Sequence, residues 1–382
     1  MKKKTPIALA LILAFAAPLL RAADAPPVEK GQAVEICFVL DTTGSMSGLI
    51  EGAKQKIWSI ANTVIAGKPK PQSIRIALVG YRDRGDEYVT KVFDLTDDID
   101  AVYKNLQGFQ ANGGGDGPES VNQAMNEAVE KIGWAKDDGT LKIVFLVGDA
   151  PPHMDYADDV KYAVVCQNAV RKNLIVNTVQ CGNQGDTTPV WQEIARLGEG
   201  SYVQLGQTGD MVAIAAPQDA ELAELNRKIG KTLVNYGGAG GGAYRPEAAA
   251  AQAAKQSASE AADASVTADR LNFNMASGKA VQGDDELIDA IDSKRVALKD
   301  LKDEQLPEDL RKLSPAEREA RVAELTRERA EIRAKIAELS KSRDEYITAE
   351  KKKQAEAAGK KDSFDDQVGK IINEQAARKQ KH

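Results

Sequence analysis

One short segment concentrates side chains that could do chemistry. Asp41 ends an apolar run, and Thr43 and Ser45 follow two and four residues later in DTTGS. Alternate spacing in a tight turn can direct all three oxygens to one side, and glycine lets the backbone come close. A carboxylate with two hydroxyls, and no histidine or thiolate beside them, suits a hard divalent cation. The simpler alternative is that Asp41 and Thr43 only cap the next helix.

Two further carboxylates fall in loops that could reach the same place. Asp149 ends a second apolar strand in FLVGDAPP, and Asp116 lies in the glycine-rich segment NGGGDGPES. In a doubly wound sheet of order 3-2-1-4-5-6, the loops after the first and fourth strands flank a crevice at the carboxyl ends of the strands. Mg²⁺ is the expected ion, with Ca²⁺ or Mn²⁺ as alternatives. The predicted ligand set is Asp41, Thr43, Ser45, Asp116 and Asp149.

The elements that must position these residues alternate along the chain. Apolar strands such as AVEICFVLD, SIRIALVGYRD, LKIVFLVGDA and LIVNTVQCG are separated by amphipathic helices. Near-continuous apolar strands between helices predict a mainly parallel sheet that is covered on both faces. The predicted fold class is therefore α/β and doubly wound, and the domain is expected to span residues 33–235.

The composition changes after Tyr236. Residues 236–283 are rich in glycine and alanine and are predicted to be a partly helical linker, and residues 284–382 to be a charged helical region. Ser314 and Glu317 can form a capping box at the start of a long helix. A seven-residue repeat then includes Val322, Leu325, Ile332, Ile336, Leu339 and Tyr346, with Arg329 and Arg343 in two core positions. The alternatives are an antiparallel hairpin with a helix near residues 285–304, or a partly coiled-coil oligomer.

The N-terminal segment predicts export. Residues 1–25 combine a basic start, a short apolar run and small residues, which is typical of a cleaved signal peptide. The chain is then expected in the periplasm or outside the cell, without membrane insertion after cleavage. Its formal net charge is −6, and cleavage would make it −9, because the removed segment holds four cations and one acid. This acidity excludes a nucleic-acid partner.

The few cysteines and histidines limit the chemistry further. Cys37 lies in an apolar strand, whereas Cys166 and Cys181 could form a disulfide or remain two buried thiols. Only two histidines occur, and no CxxC motif is present. These facts argue against a zinc site and against Ser-His-Asp catalysis.

The three loops together resemble a known family. DTTGS resembles the DxSxS signature of von Willebrand factor A domains, and GGGDGPE and VGDAPP are similar to the other two loops of their metal-ion-dependent adhesion site. The resemblance covers roughly residues 33–230. It implies that Thr43 and Ser45 contact the metal, while Asp41 and Asp149 hold it through water or as outer hydrogen-bond acceptors.

The resemblance also implies a function, with two departures from the pattern. It implies a protein-binding module rather than an enzyme, in which an acidic residue of a protein partner completes the metal site. Thr43 replaces the usual serine and keeps the hydroxyl. Asp116 stands where the family usually has a threonine, and this extra carboxylate weakens the need for an acidic ligand from the partner.

A catalytic alternative uses the same residues. DTTGS is also similar to the DxTGT nucleophile loop of haloacid dehalogenase-type phosphotransferases. Asp41 would then form an aspartyl phosphate, Asp149 and Asp155 would bind magnesium, and Lys142 or Lys131 would neutralise the phosphate. Lys142 begins the strand that Asp149 follows, which places it far from the nucleophile. A metal-independent structural scaffold is the third alternative.

Overall fold

One six-stranded sheet organises the N-terminal half of the chain. The computed structural model describes residues 31–115, 117–211, 213–238, 240–358 and 363–379, so the expected signal peptide and Asp116 lie outside it. The sheet order is β3-β2-β1-β4-β5-β6, and only the β2–β3 pair is antiparallel. The predicted doubly wound α/β fold is confirmed. The strands are β1 (Val34–Asp41), β2 (Ile74–Tyr81), β3 (Thr90–Thr96), β4 (Leu141–Gly148), β5 (Leu174–Cys181) and β6 (Glu199–Leu205).

Helices connect the strands and continue well beyond the sheet. Five lie between β1 and β6: α1 (Ser47–Ile65), α2 (Ile99–Gln107), α3 (Val121–Glu130), α4 (Tyr162–Arg171) and α5 (Thr187–Leu197). The later helices are α6 (Asp219–Gly230), α7 (Pro246–Ala261), α8 (Ala264–Ser277), α9 (Leu287–Asp292), α10 (Glu308–Arg311), α11 (Pro315–Ala358) and α12 (Phe364–Lys379). Among the described residues, none of the helices has the length and apolarity to cross a membrane.

Strand β1 is buried on both faces, which explains the apolar run from Ile36 to Leu40. Ile36 and Phe38 pack in one core with residues of α1, α8 and α12. Cys37 and Val39, which alternate with them, pack in a second core with residues of α3, α4 and α5. A central parallel strand must satisfy both cores, so every position from Ile36 to Leu40 is apolar.

The possible disulfide between Cys166 and Cys181 is not formed. Both residues, and Cys37, are buried free thiols. Cys166 packs in the core that contains α3, α4 and α5, whereas Cys181 packs in the core on the opposite face of the sheet. The sheet therefore separates the two sulfur atoms, and burial raises the pKa of both thiols.

Contacts cross the expected boundaries at residues 235 and 283. The segment predicted as a linker contains α8, whose Phe273 lies against Trp58 of α1 with ring centroids 5.7 Å apart. Helix α12, from the end of the chain, contributes Phe364 and Val368 to the same core. Helices from the C-terminal part of the chain thus cover one face of the sheet, because apolar strands need a partner layer on each side.

The long helix α11 packs against the rest of the same chain. Its Ile332 and Ile336 share a core with residues of α6 and α8. Residues 285–304 contain only α9 and two short 3₁₀ turns, so the expected hairpin partner helix is absent from this described segment. The predicted capping box is present, with Ser314 N donating to Glu317 at 2.8 Å. Apolar residues of α11 are therefore buried against other helices of the same chain.

Candidate metal site

The first candidate loop, residues 41–45, forms a chain of hydrogen bonds at the end of β1. Asp41 is fully buried, and its Oδ1 accepts hydrogen bonds from Thr43 N at 2.9 Å and Thr43 Oγ1 at 2.6 Å. The Thr43 hydroxyl lies 3.3 Å from Ser45 Oγ. The alternate spacing in the sequence therefore does bring these three oxygen-bearing side chains together.

Asp149 stands next to this loop because β4 lies beside β1. The two strands are parallel and pair Leu40 with Val147, so Asp41 and Asp149 leave adjacent strand ends. Gly148 permits this closeness, since a Cβ there would lie 3.1 Å from Asp41 Oδ2 and 2.4 Å from the Tyr81 hydroxyl. Asp149 is 3% exposed. The predicted convergence of the two carboxylates is present.

Gln207 joins the Asp149 loop to the first loop. This residue follows β6, and its side-chain amide donates to Asp149 Oδ2 at 2.6 Å. The same nitrogen lies 3.3 Å from the carbonyl oxygen of Ser45. Sequence analysis did not single out Gln207, because a glutamine after a strand has no distinguishing pattern.

The described parts of the glycine-rich loop, residues 112–115 and 117–120, lie against the first loop. Gly44 N donates to Gly113 O at 3.1 Å, which joins this loop to the first one. Gly114 has a φ of +78°, and a Cβ there would lie 3.0 Å from Thr43 Cβ and 3.0 Å from Glu119 Oε1. Only glycine adopts this backbone conformation so close to both neighbours without strain.

Glu119 is a carboxylate that sequence analysis missed. It is 4% exposed and lies near the end of the glycine-rich loop. In the sequence it has the pattern of an ordinary residue that precedes a helix. Burial first, and then the carboxylates of Asp41, Asp83, Asp86 and Asp149, raise its pKa to about 9. Pro118, which precedes Glu119, is typical of a helix start and does not indicate that the next carboxylate is buried.

Asp41 experiences the same crowding of negative charge. Burial, followed by the Asp149 carboxylate, raises the pKa of Asp41 to about 7, although the Thr43 hydrogen bonds oppose the shift. Asp41 Oδ2 and Glu119 Oε2 are buried without a hydrogen bond among the described residues. A buried carboxylate oxygen without a donor is costly, and a bound cation would relieve that cost.

A buried arginine holds the loops in place. Arg82 is 3% exposed; its Nε donates to Thr42 O at 3.1 Å, and its Nη2 donates to Gln110 O at 2.7 Å. It therefore joins the first loop to the start of the glycine-rich one. In the sequence, YRDRGDEY resembles an exposed charged turn, so this structural role could not be read from composition.

The donor set fits a hard cation. The loops supply hydroxyls from Thr43 and Ser45 and carboxylates from Asp41 and Asp149, with Asp116 outside the described residues. Over the described part of the chain, His, Cys, Asp and Glu side chains do not form any group of three or more that could hold a metal ion by itself. The unpartnered oxygens of Asp41 and Glu119 are the observation that favours a cation here.

The additional residues of the phosphotransferase alternative lie elsewhere. Asp155 Oδ1 is 2.8 Å from His153 Nδ1, on the outside of the loop after β4. Lys131 pairs with Glu127 at 2.8 Å. Lys142 is the second residue of β4, at the opposite end of the strand from Asp149, where its amine lies 3.5 Å from the carbonyl of Lys172. The structure therefore does not bring these lysines to Asp41.

Comparison with known proteins identifies relatives of the N-terminal half. A putative ariadne-like RING finger protein of Acanthamoeba polyphaga mimivirus is 24% identical over 195 residues, which cover 47% of this chain and 19% of that protein. This chain thus matches about a fifth of the length of that relative.

Solved structures are also similar at low identity. Proximal thread matrix protein 1 from the mussel byssus is 14% identical, covers 46% of this chain and 42% of its own, and has a TM-score of 0.37. Another structure of it has a zinc-occupied metal-ion-dependent adhesion site motif. A von Willebrand factor type A structure from Catenulispora acidiphila is 17% identical, covers 47% and 40%, and has a TM-score of 0.37.

A family model decides the assignment. The model for the von Willebrand factor A domain matches residues 35–214, which include the whole sheet except Val34 and all three candidate loops. The strand order and the mainly parallel pairing agree with the resemblance in DTTGS, GGGDGPE and VGDAPP. This chain contains a von Willebrand factor A domain.

Proposed function

We propose that the chain is an exported module that binds a divalent cation in the crevice between β1 and β4 and uses it to engage a protein partner. The carrying observation is the convergence of Asp41, Thr43 and Ser45 with Asp149 at the point where the sheet order reverses. Oxygen ligands at such a crevice suit Mg²⁺, with Mn²⁺ or Ca²⁺ as alternatives.

Each residue has a defined part in this proposal. Thr43 and Ser45 would contact the cation, and Asp41 and Asp149 would hold it through water or from outside the ligand shell. The cation would neutralise crowded carboxylates and accept one oxygen from the partner. Glu119, whose carboxylate faces the same crevice, lowers the need for a strongly acidic partner group.

Binding rather than catalysis is the function that these contacts support best. Asp41 is poorly placed to act as a nucleophile. Its Oδ1 accepts hydrogen bonds from Thr43, and its Oδ2 is buried beside Gly148. Phosphoryl transfer would also need a cation close to the reacting phosphate, and Lys131 and Lys142 are engaged elsewhere. The proposal of export depends on the sequence of residues 1–25 alone.

The test is titration calorimetry of residues 26–382 with Mg²⁺, Mn²⁺ and Ca²⁺. Ser45→Ala/Asp149→Ala should abolish a micromolar-to-millimolar binding heat while the circular dichroism spectrum stays that of a folded protein. The matched control is Ser47→Ala/Asp155→Ala, which removes the same two chemical groups from exposed positions just outside the loops. That control should bind like the wild type.

Two results would overturn the proposal. Absence of binding heat for all three ions in the wild type would contradict the proposed cation site and favour a structural scaffold. Magnesium-dependent release of phosphate from a phosphate ester, lost in Asp41→Asn, would replace the binding module with a phosphotransferase.

A further inference from the structure

Exposed apolar side chains are concentrated in the segment that follows Asp149 of the candidate metal site. Within the described residues, the large hydrophobic side chains that are exposed are Met154 at 52%, Val160 at 40% and Val164 at 47%. All three fall within eleven residues, in the loop after β4 and the first turn of α4. Single exposed hydrophobics are ordinary, but a local concentration of them marks an interaction surface. We call these three residues the Met154 surface.

Hydrogen bonds hold this loop at both ends and at its centre, although it carries exposed apolar groups. Asn122 is fully buried; its Nδ2 donates to His153 O at 2.7 Å, and its Oδ1 accepts from Tyr162 N at 2.8 Å. One side chain thus joins the two ends of the loop. Tyr156, at its centre, donates to Asp83 Oδ2 at 2.9 Å. A surface held in place before binding loses little conformational entropy when a partner docks.

The charge around the Met154 surface is negative on the outside. The side chains of Asp155 and Asp158 are each 73% exposed. The nearby cations are already engaged, because Arg84 lies over the Tyr156 ring and pairs with Asp158 at 3.0 Å and with Asp159 at 2.8 Å, and Lys161 donates to the Tyr156 carbonyl. Asp155, Asp158 and Asp159 thus face two cations, which leaves an excess of negative charge on this loop. A hydrogen bond from His153 lowers the pKa of Asp155, so this carboxylate is charged at neutral pH.

The base of the loop is continuous with the candidate metal site. Glu119 N donates to Pro151 O at 2.9 Å, and His153 N donates to Glu119 O at 3.1 Å. These bonds hold the start of the loop against the end of the glycine-rich loop. A partner that reaches the crevice would therefore meet this loop at its base, next to Met154.

We propose that the Met154 surface docks a segment of a protein partner that presents an apolar side chain flanked by lysine or arginine. Met154, Val160 and Val164 would cover the apolar side chain, and the exposed carboxylate of Asp155, with the excess of negative charge on the loop, would attract the flanking cations. A second copy of this chain is the less suitable occupant, because each copy carries a formal net charge of −6 and the two would repel each other. The inference extends the proposed function by naming partner chemistry, but the docking itself requires no cation.

The methionines provide separate reporters for the two proposals. Met154 lies on the surface, whereas Met46 is buried, with its Sδ 3.9 Å from the Gln207 amide that bonds Asp149. Met125 is buried in α3 and serves as the unmoved reference. The experiment labels the methionine methyl groups of residues 26–382 with ¹³C and records their NMR shifts.

The probe is a synthetic peptide with one leucine between lysines, GSKKLKKSG, titrated in chelator and again in Mg²⁺. The Met154 methyl resonance should shift and the Met125 resonance should not. Replacing the leucine of the peptide by serine, or its lysines by glutamates, should weaken binding about tenfold, which is the effect of losing one apolar contact or of reversing the charge. Val164→Ser should weaken it similarly, and Asp155→Asn by less.

A matched control separates specific from general attraction. Asp186→Asn removes an exposed carboxylate from the loop after β5 and should leave peptide binding unchanged. An equal response to the glutamate peptide, or no Met154 shift at all, would overturn the inference. A Met154 shift that follows dilution of the protein alone would also overturn it, in favour of self-association.

The two proposals can fail separately. If Mg²⁺ leaves the Met46 resonance unmoved while the peptide still shifts Met154, the cation proposal fails and the docking surface stands. If Mg²⁺ shifts Met46 and the peptide leaves Met154 unmoved, the cation proposal stands and the docking surface fails.

Discussion

The side-chain amide of Gln207 donates a 2.6 Å hydrogen bond to Oδ2 of Asp149. Because the same nitrogen lies 3.3 Å from Ser45 O, one residue after β6 connects two candidate metal loops. The amide brings the positive end of a dipole to a carboxylate that also faces Asp41. It therefore compensates part of the negative charge that a cation would compensate in the bound protein.

Gln207→Leu should destabilise the protein in chelator and strengthen its response to Mg²⁺. Loss of a hydrogen bond to a charged group costs about 1.5–3 kcal/mol, and a bound cation would restore most of that loss. The measurement is urea unfolding in chelator and in saturating Mg²⁺. Gln204→Leu is the control, since Gln204 donates to Gly182 O on the exposed side of β6. Equal losses in chelator and Mg²⁺ for Gln207→Leu would contradict the prediction.

Stability without cation should fall as pH rises. The pKa of Asp41 is raised to about 7 and that of Glu119 to about 9, whereas both ionise near pH 4 in an unfolded chain. Between those values the folded state holds more protons than the unfolded state, so the free energy of unfolding decreases with pH. For Asp41 alone the total decrease between pH 4 and 7 is on the order of 4 kcal/mol.

Mg²⁺ should oppose this decrease, because a cation competes with protons for the same oxygens. Denaturant unfolding at pH 5, 7 and 9, with chelator and with Mg²⁺, measures both effects. Asp41→Asn should flatten the chelator profile below pH 7, and Asp186→Asn should leave it unchanged. A chelator profile that rises over this window would show that the two carboxylates are already ionised in the folded protein.

The sequence predicted the parts of the site that follow from strand ends. Asp41 and Asp149 could be placed together because both end apolar strands, and parallel strands at a reversal of order share one crevice. Thr43 and Ser45 followed from their spacing. Glu119 and Gln207 could not be found this way, because their positions depend on how three separate loops pack.

The sequence was less informative about the C-terminal half. The seven-residue repeat in α11 correctly indicated a buried stripe, but it gave no reason for the charged residues Arg329 and Arg343 at two of its core positions. Both are buried against carboxylates, Arg329 near Glu286 at 2.7 Å and Arg343 near Asp219 at 2.5 Å. Those partners lie 43 and 124 residues away, a separation that no local pattern reports.

Helix α12 should be required for the stability of the sheet. Phe364 is 2% exposed and lies with its ring centroid 6.3 Å from that of Phe38 on β1. Phe364→Ala should reduce the free energy of unfolding by about 3–5 kcal/mol, because it leaves a cavity in the core. Lys370→Ala, at an exposed position of the same helix, should change it by less than about 0.5 kcal/mol. Urea unfolding followed by circular dichroism tests both.

The same prediction applies to truncation. A chain that ends at Ala358 lacks Phe364, Val368 and Ile372, all of which belong to the core on one face of the sheet. We expect it to expose apolar surface, bind a hydrophobic dye and unfold at lower urea concentration. Wild-type stability after truncation would show that the packing of α12 against the sheet contributes little to the free energy of unfolding.

Arg329 should be among the most sensitive positions of α11. Its guanidinium is 1% exposed and donates to Glu286 Oε2 at 2.7 Å and to Asp289 Oδ1 at 3.0 Å. Arg329→Met leaves the buried Glu286 carboxylate without its cation and leaves Asp289 paired with Arg333 alone, which costs about 3–5 kcal/mol in unfolding free energy. Arg327→Met, two residues away on the exposed face, changes the same side chain and should be nearly neutral. If urea unfolding shows equal effects, the ion pair contributes no more than an exposed arginine does.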